Sequence, residues 1–306
     1  MLKHMIVATA VMALAGCATP QSQPPVQNAA TVCGTDLPFY EGGERATLWI
    51  RTSAEFRASA EGIYRSALQA LRQGLADPDW SAEPAQSGDL SGLAPAVVMD
   101  IDDTVLDNSG AQVRMALRHT CPADYPAVWD AWVAEAAAPA VPGAAAFIRA
   151  ARELKDPQGR AVRIFFITNR ECGARTGVTS ACAQKADTLA NLRALGLDTP
   201  TLEADMLVRR ERPEWEGEKL ARRQLVAQQY RIVLNVGDDL ADFIPDVRRQ
   251  SLAEREQARC RHHDWWGARW FVIPNPMYGS WQRVLGPDLD TALAQPLTPP
   301  ACGETG

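Results

Sequence analysis

Three apolar runs in this chain end on residues able to handle charge. The first, Ala94-Pro95-Ala96-Val97-Val98-Met99, leads directly into Asp100-Ile101-Asp102-Asp103-Thr104. Asp100 and Asp102 are two residues apart, so where strand geometry persists they share a face. Carboxylates crowded in this way resist joint ionisation unless a cation joins them or one keeps a proton. A hard cation of the Mg2+ kind takes oxygen ligands and commonly bridges to a phosphate. A carboxylate can also attack phosphorus itself and form an acyl phosphate. The second run, Val162 to Ile167, ends at Thr168, and the third, Ile232 to Val236, ends at Gly237-Asp238. Any one of these ends also reads as the ordinary start of a loop; the three together read as a site.

For such groups to meet, the elements between them must bring the strand ends to one side. Residues 44–74 place Leu48, Phe56, Ile63, Tyr64, Leu68 and Leu71 at helical spacing. Residues 77–95 hold Pro, Gly, Ser and Asp and read as a loop ahead of the first strand. Residues 125–155 give two helical patterns split by Pro139 and Pro142, and residues 183–195 give a helix stopped by Gly196. A short strand at 206–208, helices at 216–229 and 246–259, and a last strand at Trp270 to Ile273 complete the pattern. Apolar strands alternating with helices predict an α/β fold with a mostly parallel sheet and helices on both faces. In such sheets ligands bind beyond the carboxyl ends of the strands, where Asp100, Thr168 and Asp238 stand.

The set Asp100-x-Asp102-x-Thr104, Thr168, Lys219 and Gly237-Asp238-Asp239-x-x-x-Phe243 resembles the four motifs of the haloacid dehalogenase (HAD) superfamily. The finer resemblance is to class C acid phosphatases, bacterial outer-membrane lipoprotein enzymes. It is carried in order by TSAEF (52–56), DIDDTVLDNS (100–109), WDAWV (129–133), VPGAAAF (141–147), ITNR (167–170), KADTLANLRALG (185–196), IVLNVGDDLADF (232–243) and PNPMYGSW (274–281). The resemblance implies a HAD-like Rossmannoid fold over residues 41–306, with helical cap elements near 44–74 and 111–140. It implies a Mg2+-dependent phosphomonoesterase with Asp100 as nucleophile and Asp102 as general acid, then base. Thr168 would hold a phosphoryl oxygen and Lys219 would offset charge on Asp100 and the phosphoryl group. Asp100, the main-chain carbonyl of Asp102, and Asp238 would hold the metal, and Asp239 and Asp242 would hydrogen-bond its waters.

Two stretches depart from the family pattern. The segment from Asn169 to Lys185 is long and carries Cys172 and Cys182. The approach to Lys219 is rich in Arg209, Arg210, Arg212 and Trp215. Lys185 is the rival to Lys219, but it begins a helix that aligns with a non-catalytic family segment. Position 103 is Asp where many relatives have Glu, and nothing is drawn from it.

Aromatics and polar residues beside the motifs suggest the substrate. Most tryptophans belong to cores, yet the resemblance marks Trp129 and Tyr278 as a stacking pair for an aromatic leaving group such as a nucleoside base; Trp132 and Trp281 lie near them. Asn169 is assigned to the substrate side, and Arg170 either holds phosphate or pairs with a surface acid. Cys260-x-His262-His263 fits no strong metal signature and reads as a charged surface turn. Two other readings stand beside the hydrolase: a non-catalytic lipoprotein binding haem or a nucleotide on the same scaffold, and a phosphotransferase.

The start of the chain reads as an address. Met5 to Ala15 is apolar, too short for the ~20 residues that cross a bilayer, and reads as a signal segment. Leu14-Ala15-Gly16-Cys17 resembles a lipobox, so residues 1–16 are the expected signal peptide. Cys17 is the expected lipid anchor to the membrane, and residues 17–40 are a Pro- and Gln-rich tether. Ala18, in place of the Asp that retains lipoproteins in the inner membrane, points to the outer membrane of a Gram-negative cell, with the folded part facing the periplasm. Cys33, Cys121, Cys172, Cys182, Cys260 and Cys302 remain, an even set suited to disulfides in an exported protein, with Cys172–Cys182 the most plausible local pair. The 306 residues carry a formal net charge of −6, with a pI near 5.4 and 46% hydrophobic residues. That composition excludes disorder throughout and argues against a nucleic-acid polymer as partner, since no basic surface is encoded.

Overall fold

The computed structural model describes residues 43–118, 120–285, 289–294 and 302. The expected signal peptide, Cys17, the tether, Cys33 and His119 lie outside the described residues.

Two helices come first, α1 (Gly43–Thr52) and α2 (Ala54–Ala76). The periodicity runs through both, but Ser53 interrupts it: its hydroxyl accepts from the Phe56 amide at 3.1 Å and caps α2. Then follow β1 (Ala94–Met99), α3 (Ser109–Leu117), α4 (Tyr125–Ala134), α5 (Ala144–Arg152), β2 (Arg163–Glu171), α6 (Ala183–Ala194) and β3 (Met206–Arg209). The chain continues through α7 (Leu220–Ala227), β4 (Tyr230–Gly237), α8 (Leu252–Arg261), β5 (Trp270–Val272) and α9 (Ser280–Arg283). The strands form one sheet in the order β3-β2-β1-β4-β5, and every pairing is parallel.

The sheet is covered on both faces, as near-continuous apolar strands require. Val97 and Met99 of β1 pack into one core with Tyr64, Leu71, Phe147, Ile148 and Leu192 from the helices. Ala96 and Val98 point the other way, into a core with Phe165, Trp215, Val226, Phe243 and Trp270. Burial of these side chains at ~25 cal/mol per Å2 is the main force holding the layers together.

Two expected helices begin later than their periodicity suggests. The 216–229 pattern becomes helical only at Leu220, because Trp215 is buried in the second core and the preceding segment turns to place it there. The 246–259 pattern starts as a 3-10 turn at Val247–Arg249, and α8 begins after Ser251, which forms a capping box with Glu254. Strand β2 runs past its predicted end to Glu171. The expected Cys172–Cys182 disulfide forms, Cys260 pairs with Cys302, and Cys121 is also disulfide-bonded.

At the end of the sheet away from the strand carboxyl termini, Arg231 is 2% exposed. Its Nη1 donates to the carbonyls of Gly74 at 2.9 Å, Asp77 at 2.5 Å and Trp80 at 3.1 Å. These are the last carbonyls of α2 and its exit turn, which no helical amide can satisfy. Arg231→Leu is therefore expected to lower unfolding free energy by ~2–4 kcal/mol in denaturant titration, since buried acceptors lose their donor. KM should stay unchanged, because Arg231 stands at the opposite end of β4 from Asp238.

Candidate active site

The site grows from the carboxyl ends of β1, β2 and β4. The Asp100 amide donates to the Val236 carbonyl at 2.9 Å, which locks the end of β1 to the end of β4. Its carboxylate accepts from Lys219 Nζ. Lys219 stands just before α7, is 4% exposed, and also lies 2.6 Å from Asp242 Oδ1. Asp242 closes a short 3-10 helix, Leu240–Asp242, and its Oδ2 accepts from the amides of Asp238 at 3.1 Å and Asp239 at 3.0 Å. Gly237 makes this turn possible, since a methyl group there would overlap the Asp242 carboxylate. Asp238 accepts from the Thr104 hydroxyl at 3.3 Å and from Asn275 Nδ2 at 2.8 Å.

One carboxylate oxygen from each of Asp100, Asp238 and Asp242 lies within 4.8 Å of the others. Burial pushes Asp100 up to about 7, with Lys219 pulling it down and Asp242 and Asp102 pushing it further up. Burial, then the charges of Asp242, Asp100 and Asp103, hold Asp238 well above the usual carboxylate range. Burial works against the Lys219 ammonium, but Asp100 and Asp242 outweigh it and raise its pKa. A buried, all-oxygen acid cluster whose members repel one another fits a hard divalent cation, which would offset that repulsion.

Asp102 lies two residues further on, just ahead of Asp103, whose φ of 56° is left-handed. Three residues hold its carboxylate: Arg170 Nε at 2.9 Å, Asn108 Nδ2 at 2.9 Å and the Thr168 hydroxyl at 3.2 Å. Arg170 is 2% exposed and gives its other nitrogens to Thr188 at 2.9 Å and Asn108 at 3.3 Å. Of the two expected uses of Arg170, the structure shows an acid partner, but a site carboxylate rather than a surface one. Asn169 donates to the Gly217 carbonyl at 3.0 Å and accepts from Arg222 at 2.7 Å, so its amide braces the approach to Lys219. Asp239, expected near metal waters, lines the cleft, and its oxygens accept from the Ser280 backbone and hydroxyl and from the Ala241 amide at 2.8 Å. Burial raises its pKa, but those hydrogen bonds outweigh burial and hold it below the usual range.

These groups floor a cleft of about 770 Å3, with Tyr125, Pro126 and Trp129 of α4 on one wall and Tyr278 and Gly279 on another. Both predicted aromatics therefore face the site. Trp132 does not line it: the indole donates to Asn108 Oδ1 at 2.8 Å and its ring covers Gly110. Lys185 is engaged by Glu211 at 2.5 Å, in a different cluster from Asp100. His262 packs on Trp270 with ring centroids 4.8 Å apart, an aromatic contact rather than a metal site.

Sequence reasoning passed over Asp103, whose carboxyl accepts from the Tyr278 hydroxyl and from the Asn108 amide at 3.0 Å. Burial, only partly offset by those bonds, pushes it up to about 8. It also passed over Asn108 and Asn275, although each sits inside a quoted motif segment, DNS and PNP. Asn108 follows Asp107, which was an available signal; Asn275 stands between Pro274 and Pro276 and had none beyond its motif segment.

The sequence pattern of the HAD superfamily, subfamily IIIB (acid phosphatase), matches residues 81–281. Two solved structures of the class C acid phosphatase from Bacillus anthracis, one with tungstate bound, are similar to this fold with a TM-score of 0.64 and 29% identity. Each covers 82% of this chain and 91% of its own. A parallel sheet with acids at its strand ends and a match over most of the chain place this protein in subfamily IIIB of the HAD superfamily, the acid phosphatases, and make it a phosphomonoesterase.

Proposed function

We propose that the protein is a Mg2+-dependent acid phosphatase that hydrolyses phosphomonoesters, nucleoside monophosphates among them, through a phospho-aspartate on Asp100. The observation that carries this reading is the buried contact of Lys219 with Asp100 and Asp242 at the floor of an open cleft. A lysine buried between acids is a costly arrangement for a fold alone. It is a useful one where a phosphate must be brought up to a carboxylate. Tungstate in the similar Bacillus anthracis structure is a tetrahedral oxyanion of phosphate's shape, which supports a phosphate-sized site.

In the first step a carboxylate oxygen of Asp100 attacks phosphorus, the ester P–O bond breaks, and Asp102 gives its proton to the leaving oxygen. In the second, Asp102 takes a proton from water as the water oxygen attacks phosphorus, and the acyl phosphate bond returns its electrons to Asp100. Lys219 neutralises charge on the transferring group throughout, and the Thr168 hydroxyl, which donates to Asp102 in the structure, would turn to one of its oxygens once substrate is bound. Asp100, Asp238 and the Asp102 carbonyl would hold Mg2+, with Asp242 in reach; when bound it neutralises phosphate charge and orients the group for in-line transfer. Arg170 and Asn108 keep Asp102 at the leaving-group side. Trp129 and Tyr278 offer a base two faces, and stacking of that kind contributes ~1–3 kcal/mol. The lipobox-like Leu14-Ala15-Gly16-Cys17 supports an outer-membrane lipoprotein working at the cell envelope; no helix among the described residues is long and apolar enough to cross a membrane.

Asp100→Asn is expected to lower p-nitrophenyl phosphate turnover by at least ~10³-fold, with an unchanged circular dichroism spectrum. Full activity in that variant would overturn the mechanism. Asp102→Asn should cost kcat/KM about tenfold or more extra on a ribose 5′-phosphate ester than on p-nitrophenyl phosphate, because nitrophenolate leaves without a proton and an alkoxide does not. A phosphate-release screen over nucleotides and sugar phosphates should go silent in EDTA and recover with Mg2+. Turnover that persists after exhaustive chelation would count against the metal.

A further inference from the structure

The wall of the cleft that carries Trp129 is thinly anchored. Helix α4 has one buried residue, Val133, near its carboxyl end, where Trp132 is also seated on Gly110 and Asn108. The half that faces the site, with Tyr125, Pro126 and Trp129, has no fully buried residue, and the Arg170 guanidinium lies over the Trp129 ring at 5.6 Å from its centroid. Asp130, the residue after Trp129, fastens this half to the neighbouring loop and α6. Asp130 is gripped from outside the helix by Arg175, with Nε to Oδ2 at 2.6 Å and Nη2 to Oδ1 at 2.6 Å. The same guanidinium reaches Asp187 of α6 at 2.6 Å, and Gln184 adds a bond to Asp130 at 3.0 Å. Hydrogen bonding by Arg175 holds the Asp130 carboxyl below the usual carboxylate range.

Arg175 sits in the long segment that departs from the family pattern. That segment leaves β2 at Cys172 and enters α6 at Cys182, and the disulfide between them closes it into a short ring. Chain closure removes freedom the loop would otherwise have. A planar guanidinium bonded at three nitrogens to two acids is therefore presented from a restrained base, a geometry worth more than an isolated surface pair. Neighbouring helix positions point about 100° apart, so gripping Asp130 from the loop side sets the direction in which Trp129 meets the cleft.

We propose that the disulfide-closed loop 172–182 governs leaving-group selection: through Arg175 and Asp130 it fixes α4 so that the Trp129 ring stays in place to stack on an aromatic leaving group. This rests on the stacking reading of Trp129 given above. Arg175 is a positioning residue here, and the reaction chemistry at Asp100 does not pass through it.

The test compares adenosine 5′-monophosphate with glycerol phosphate on the full chain. Arg175→Ala should raise KM for the nucleotide about three- to tenfold, part of the stacking contribution. KM for glycerol phosphate and kcat for both should stay within about twofold of the parent. Arg175→Lys should restore part of the loss, since it keeps the charge but not the fork. Joint replacement of Cys172→Ser and Cys182→Ser should shift the same ratio in the same direction, and hydrogen exchange across 125–131 should quicken in both variants. Trp129→Ala separates the two ways of failing. If it leaves the nucleotide-to-glycerol ratio of kcat/KM unchanged, stacking falls and this inference falls with it. If it lowers the ratio while Arg175→Ala does not, the loop's role alone is overturned. Equal losses on both substrates in Arg175→Ala would mean general loosening and would also overturn it.

Discussion

The rest of the site is arranged around one buried ammonium. Lys219 Nζ lies between Asp100 and Asp242, with Asp238 close by, in surroundings that admit little water. Without Lys219, burial and the neighbouring acids would push Asp100 further toward its protonated form, and a protonated Asp100 is no nucleophile. With it, one positive charge is shared among three carboxylates, which leaves the cluster short of cations and receptive to a divalent ion. The features that look decorative follow from this. Gly237 lets the Asp242 turn close against the strand end, and the amides of Asp238 and Asp239 hold Asp242 toward the lysine.

Around that centre lies a layer of neutral and paired polar groups whose work is orientation. Asn108 donates to Asp102 and accepts from Trp132 and Arg170, so one side chain ties the site to α4 and β2 together. Arg222 reaches the Thr168 carbonyl at 2.5 Å and Asn169 at 2.7 Å, which joins the end of β2 to the start of α7, where Lys219 stands. Tyr278 uses its hydroxyl on Asp103 while its ring lines the cleft. In a low-dielectric pocket each such bond is stronger and each omission is costlier.

The alternation of strand and helix was legible because burial on both faces forces strands to be apolar throughout and helices to repeat every 3.6 residues. It gave way at particular residues. Ser53 split a helix whose apolar stripe continues across the break, because a cap is decided by one hydroxyl and not by periodicity. Trp215 delayed α7, because its burial in the far core pulled its segment out of helical conformation.

By itself the chain's order of residues determined which chemistry was available: acids and a threonine closing apolar strands, a lysine and a glycine-led turn downstream, and a pattern shared with the acid phosphatases. Such information is local, since it depends on residue type and spacing alone. Only the tertiary structure decided the partners. It set Lys219 and not Lys185 on Asp100, turned Arg170 onto Asp102, gave Asp239 to Ser280, and drew in Asp103, Asn108 and Asn275. Those choices depend on distances between segments far apart in the chain, and such distances exist only once β1, β2 and β4 lie side by side and their ends share one cleft.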